Sequence, residues 1–100
     1  MSGMRIQGAV IMGDVMIVYK IMPEGPEEDL ERIKEKIEEL MEEHGELKDT
    51  NEEKVAFGLK AVMAKIVIPE EDGLVDKVED GLKEIKGVQS VEAVDITLIN

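Results

Sequence analysis

The amino-acid sequence predicts an α+β sandwich: a four-stranded antiparallel sheet with two helices on one face. Apolar residues recur with strand-like and then helix-like spacing, in the order β-α-β-β-α-β. Breaks at Pro23-Glu24-Gly25-Pro26 and Asp72-Gly73 mark where strands hand over to helices. Two right-handed crossovers are the most economical way to join such a series.

The first strand reads as Val15 to Met22. Val15, Ile17, Tyr19 and Ile21 share one face, and Met16, Val18, Lys20 and Met22 the other. A helix follows from Pro26 to Glu43, with Leu30, Ile33, Ile37, Leu40 and Met41 in one apolar stripe and a solvated face of Glu, Lys and Arg. Pro26 suits its first position, Gly25 serves as N-cap, and Glu27, Glu28 and Asp29 favour the positive end of the dipole. Gly45 closes the helix as its C′ residue. His44 sits at the negative end of the dipole, which favours its protonated form, and with no second His and no Cys it has no metal-ligand set.

Glu46 to Lys54 is polar and reads as a loop or a short, twisted edge strand, whose charges discourage edge-to-edge aggregation. The central strand follows, with Val62, Ala64, Ile66 and Ile68 as its more continuous apolar face and Ala61, Met63, Lys65 and Val67 on the other. Pro69 stops it. The second helix carries Leu74, Val75, Val78, Leu82 and Ile85 as its stripe, with Lys83 and Lys86 in the last turn and Gly87 at C′. Gly81 inside this helix costs it about 1 kcal/mol relative to Ala, and a close helix–sheet contact would explain it. The last strand runs from about Val91 to Ile99, with Val94, Ile96 and Leu98 supplying its core face. Val91 is out of phase with Val94, which predicts a bulge near Glu92-Ala93. The architecture is the ferredoxin-like βαββαβ sandwich. Its open sheet face, with Met16, Val18, Met63 and Val67 among lysines, is a surface through which a weak homodimer could form.

One hundred residues make one domain, and the chain has no cysteine, so disulfides and thiolate chemistry are excluded. A reducing, cytoplasmic location is the expectation. A formal net charge of −12 argues against nucleic-acid binding and against anionic membrane surfaces. It favours a basic protein partner. No run approaches the roughly 20 apolar residues of a membrane span. Residues 1–11 read as an N-terminal extension, from an upstream start or left over from expression, and they could pair as an extra edge strand through Ile6 and Ala9-Val10-Ile11. Residues 12–100 form the functional domain.

The segment around which the chain is organised is Val55-Ala56-Phe57-Gly58-Leu59-Lys60. It holds the only phenylalanine, beside a glycine that leaves the backbone bare, at the mouth of the longest apolar run. The ring either caps the end of the core or anchors a partner protein, since aromatic residues dominate interface energetics.

Catalytic chemistry is missing. The loop after the first strand is acidic and lacks the arginine that acyl-phosphate hydrolysis needs on this fold, and only Tyr19 and Phe57 are available for the stacking used by RNA-recognition sheets. There is no phosphate-binding Gly-Lys-Ser/Thr loop. The surface carboxylate pairs are too many to single out one. The residues therefore indicate a binding module without covalent catalysis, metal or cofactor. A small-ligand regulatory module of the same fold is the alternative.

From Met12 onward the chain resembles the archaeal elongation factor 1-beta family. The matching stretches are Met12-Gly13-Asp14-Val15, Met22-Pro23-Glu24, Ala56-Phe57-Gly58-Leu59-Lys60 and Gly87-Val88-Gln89-Ser90-Val91-Glu92. The resemblance implies guanine nucleotide exchange on the GTPase elongation factor 1-alpha, met in its GDP-bound or nucleotide-free state. It also implies that Ala56, Phe57, Gly58, Lys60 and the C-terminal Leu98, Ile99 and Asn100 contact that partner. Eukaryotic members carry a lysine just before the last residue, reaching toward the magnesium site. Ile99 stands there in this chain, so the resemblance assigns magnesium displacement to no residue.

Overall fold

The computed structural model describes residues 13–99. The strands are β1 (Asp14–Pro23), β2 (Glu46–Lys54), β3 (Lys60–Pro69) and β4 (Val88–Ile99), and the helices are α1 (Leu30–His44) and α2 (Leu74–Lys83). They follow in the order βαββαβ and build one antiparallel sheet ordered β2-β3-β1-β4. The expected extra strand at Ile6 and Ala9–Ile11, the domain start at residue 12, and Asn100 lie outside the described residues.

The period-two pattern of the two central strands produces the core directly. In the β1–β3 register Ile17 stands opposite Ile66, Tyr19 opposite Ala64 and Ile21 opposite Val62, and all six are fully buried. Ile33, Ile37 and Met41 of α1 and Leu74, Val78 and Leu82 of α2 pack onto that same face. Both helices therefore cover one side of the sheet. On the other side Met16, Val18, Met63 and Val67 are half-buried.

The polar stretch 46–54 is a full nine-residue edge strand, held by pairing with β3 along its length. Helix α1 starts four residues later than the position of Pro26 suggests. Asp29, not Gly25, is the N-cap: its carboxylate accepts from the N–H groups of Glu31 and Arg32 at 3.1 and 3.2 Å. A carboxylate satisfies two orphan donors that glycine cannot. Pro26 lies instead in a turn in which Glu28 N–H donates to the Gly25 carbonyl.

The helix C-termini also differ from expectation. Gly45 does close α1, donating its N–H to the Met41 carbonyl at 2.8 Å, but with extended backbone at φ 175°. What requires glycine there is space, since a Cβ would run into the Val67 carbonyl oxygen and sit 2.8 Å from Ile68 Cγ2. Helix α2 ends at Lys83, so Gly87 is not its C′ residue but the left-handed residue (φ 95°) of the turn into β4. Gly81 is explained by a helix–helix rather than a helix–sheet contact, because a Cβ there would lie 2.8 Å from Leu40 Cδ1 of α1.

The bulge falls slightly later than expected. Val18 pairs with Asp95 and Tyr19 with Ala93, leaving Val94 as the extra residue. A second shift between Met22 and Pro23 skips Gln89. The apolar residues at the end of β4 are not core. Ile96 and Leu98 stand opposite Ile17 and Val15, on the helix side, yet are 61% and 58% exposed. A ten-residue α2 is about 15 Å long, whereas the twelve residues of β4 span about 40 Å, so the strand outruns its cover.

Candidate functional site

The β2–β3 connection is a five-residue turn closed at its base by Lys54 opposite Lys60. Val55 N–H donates to the Leu59 carbonyl at 2.9 Å, and Leu59 N–H donates to the Ala56 carbonyl at 3.3 Å. Between them Ala56–Gly58 form a single 3₁₀ turn. To bring the chain round, Phe57 adopts φ 64°, ψ 30° and Gly58 φ 76°. Gly58 has open space where a Cβ would be, so its backbone angle alone calls for glycine.

Phe57 is the one non-glycine residue at positive φ among the described residues. A left-handed non-glycine residue costs of order 1–3 kcal/mol. Its ring is 94% exposed, which excludes a role in capping the core. The molecule thus holds a large aromatic in water on a strained turn backbone, and the ring adds nothing to the core.

The base of the turn is fixed by charge. Glu52 accepts from Lys34 of α1 at 2.9 Å and lies 3.9 Å from Lys60 Nζ, while Lys20 of β1 lies 3.8 Å from Glu53. The hydrogen bond from Lys34 pulls the Glu52 carboxyl below its ordinary range, and the bonds to Glu52 and Glu31 push the Lys34 ammonium up. These bonds tie the sheet edge to α1 just below the aromatic ring.

Three further segments gather at this end of the sheet. The loop Pro23–Pro26 leaves β1 here, and a shallow cleft of about 200 Å³ separates it from Gly58 and Lys60. The Gly87 turn enters β4 here and accepts the Glu24 N–H on the Gly87 carbonyl at 2.8 Å. Arg32 braces both loops, donating to the Lys86 carbonyl and lying 3.9 Å from Glu28. A Cβ on Gly87 would collide with Glu28 and Arg32, so the brace depends on that glycine. Nothing in the sequence pattern had marked Arg32, which reads there as one more charge on a solvated face.

Ala56, Phe57, Gly58 and Lys60 are therefore one cluster. Leu98 and Ile99 are not part of it. They lie at the opposite end, where Asp14 pairs with Ile99 and Val15 with Leu98. Ile99 is 37% exposed beside the more open Leu98. Among the described residues no group of three or more His, Cys, Asp or Glu side chains could hold a metal ion, and no helix is long and apolar enough to cross a membrane.

Comparison with known proteins adds family information. Residues 16–99 match the model of the EF-1 guanine nucleotide exchange domain. The chain is 42% identical over 88 residues to elongation factor 1-beta of Methanoculleus marisnigri, covering 88% of this chain and 100% of that protein. It is 40% identical over 85 residues to elongation factor 1-beta of Methanothermobacter thermautotrophicus, covering 85% and 96% of the two. In structure it is similar to the ACT domain of GTP pyrophosphokinase from Chlorobium tepidum, with a TM-score of 0.57, 15% identity, and 81% and 99% of the chains covered. At that identity the likeness speaks for the ferredoxin-like fold alone.

Proposed function

The chain belongs to the EF-1 guanine nucleotide exchange domain family, and from that premise we propose how it works: it docks on a GDP-loaded elongation factor 1-alpha through the Phe57 turn and loosens the nucleotide. Its role in translation elongation as a guanine nucleotide exchange factor follows from the family. The observation that carries the docking site is the exposed ring on a strained backbone. Strain is retained where the surrounding structure maintains it for a purpose, and an exposed aromatic beside a bare glycine suits insertion into a partner's pocket.

No covalent step is involved. Partner and nucleotide each weaken the other's binding by the same factor, which is a coupling free energy between two sites. Surplus GTP then fills the emptied site. The acidic surface speeds encounter with a basic face of the GTPase, and the cytoplasm is where the proposed partner would be met. Leu98, Ile99 and Asn100 form a second contact on this reading. A GTPase touching both ends must span the length of β1, about 30 Å.

The test is release of a fluorescent GDP analogue from archaeal elongation factor 1-alpha as the protein is titrated in with excess unlabelled nucleotide. Acceleration that disappears in Phe57→Ala supports both exchange and the docking site. Acceleration that survives the substitution removes Phe57 from the site. No acceleration with a folded, competent pair overturns the pairing with this GTPase.

A further inference from the structure

Where the strand registers bring two charged residues face to face, they match opposite signs except at one place. Lys20 stands opposite Glu92, and Asp49 opposite Lys65. At the base of the Phe57 turn, however, Lys54 stands opposite Lys60, the one like-charged pair in the registers of the described residues. Like charges directly opposite destabilise a sheet. The chain has 24 acidic residues against 12 basic ones, so a complement was not scarce. The charge of the pair is poorly offset. Among the described residues Lys54 has no ion pair. Lys60 has only Glu52 at 3.9 Å, which Lys34 already holds at 2.9 Å. Both lysines are exposed.

Taking the docking of the Phe57 turn as its basis, we propose that Lys54 and Lys60 together recognise a carboxylate of the partner protein, an aspartate or glutamate beside the pocket that takes the ring. Position supports this. The two lysines flank Phe57 in the sequence, three residues before it and three after, and Lys60 lines the cleft between Gly58 and the Pro23–Pro26 loop. A carboxylate entering between them turns a repulsion within the free protein into two attractions. The pair also gives the encounter a direction. The net charge of −12 draws a basic surface from a distance without choosing an orientation, whereas positive charge gathered at one end decides which end meets an acidic spot. A protein carboxylate fits better than an RNA phosphate. Glu52 and Glu53 adjoin the lysines along β2, and a nucleic-acid backbone needs an extended basic track.

In the GDP-release assay Lys54→Glu should raise the protein concentration needed for half-maximal acceleration by about fivefold. Lys54→Gln should raise it less, and Lys54→Arg should match the parent. Opposite Lys60 the new carboxylate removes the repulsion, so the urea midpoint of Lys54→Glu should rise while its binding weakens. A fall in both would make the pair a structural feature and overturn the proposal. So would a Lys54→Glu protein that acts at the parent's concentration, or at a lower one, the latter meaning that a basic surface faces the turn. A short fluorescein-labelled RNA that binds the parent and not Lys54→Glu would make phosphate the ligand instead. Phe57→Ala measured alongside separates this proposal from the docking it rests on. If Phe57→Ala loses acceleration while Lys54→Glu matches the parent, only the lysine pair is discarded; if Phe57→Ala keeps full acceleration, the docking falls and the pair with it.

Discussion

Phe57 and Leu98 stand at opposite ends of the same sheet. Phe57 projects beyond the base pair Lys54–Lys60, at the end of the sheet where β1 finishes, and Leu98 pairs with Val15 where β1 begins. The two are about 25–30 Å apart at the rise of a β-strand. Any partner that uses both must grip the protein at two separate points.

The separation predicts independence. Residues more than about 7–10 Å apart with no shared partner contribute additively, within about 0.5 kcal/mol. The double variant Phe57→Ala with Leu98→Ser should therefore lose as much exchange activity as the two single losses combined, measured by GDP release. If Leu98→Ser alone leaves the rate untouched, the contact is confined to the Phe57 end.

The backbone at Phe57 yields a second prediction. Phe57→Gly relieves the left-handed strain and should raise stability by about 1 kcal/mol in urea denaturation. The same variant should lose the acceleration of GDP release. Phe57→Ala keeps the backbone angle and buries nothing less, so its stability should stay within about 0.5 kcal/mol of the parent. A large loss of stability in Phe57→Ala would contradict the exposure of the ring.

Two glycines should respond differently to alanine. At Gly45 the new methyl meets the Val67 carbonyl and the Ile68 backbone, which cannot move without disturbing β3. A loss of about 2 kcal/mol or more is expected, in line with overpacked sites. At Gly81 it meets only the end of the half-exposed Leu40 side chain, which can turn away. There the helix-propensity gain of about 1 kcal/mol should offset most of the crowding. Denaturation midpoints of the two variants check the contrast.

The Tyr19 hydroxyl donates to Glu79 Oε2 at 3.0 Å, and burial followed by the Glu79 charge pushes its pKa well above the ordinary value. The folded state therefore holds the phenolic proton more tightly than the unfolded chain. Stability from this source is fully present below about pH 10, the ordinary tyrosine pKa, and falls as pH rises beyond it. Urea titrations from pH 8 to 11 should show that decline in the parent and a shallower one in Tyr19→Phe. Near neutral pH the same variant should cost about 1 kcal/mol for the lost hydrogen bond.

Much of this protein was legible in its residues. Alternation at Val15–Ile21 and Val62–Ile68 selects which side chains face inward, and the stripes of Ile33, Ile37, Met41 and Leu74, Val78, Leu82 select the helix faces. Burying both sets together leaves little choice but the βαββαβ sandwich. The family was legible too, because short runs such as Ala56-Phe57-Gly58-Leu59 keep their identity wherever the chain goes. Periodicity, however, reports which side of a strand a residue occupies and not whether anything lies above it. Ile96 and Leu98 alternate correctly and are still exposed, because cover depends on the length of α2. Gly45 reads as a conformational device and is a matter of space, while Gly81 reads as a close approach to the sheet and is one to the other helix; both contacts join elements that the local sequence does not relate. The left-handed backbone at Phe57, the Arg32 brace and the distance from Phe57 to Leu98 likewise arise only when the strands pair. Local residue order determines the elements and their inward faces; register, reach and close approach exist only between elements, so the tertiary structure alone decides them.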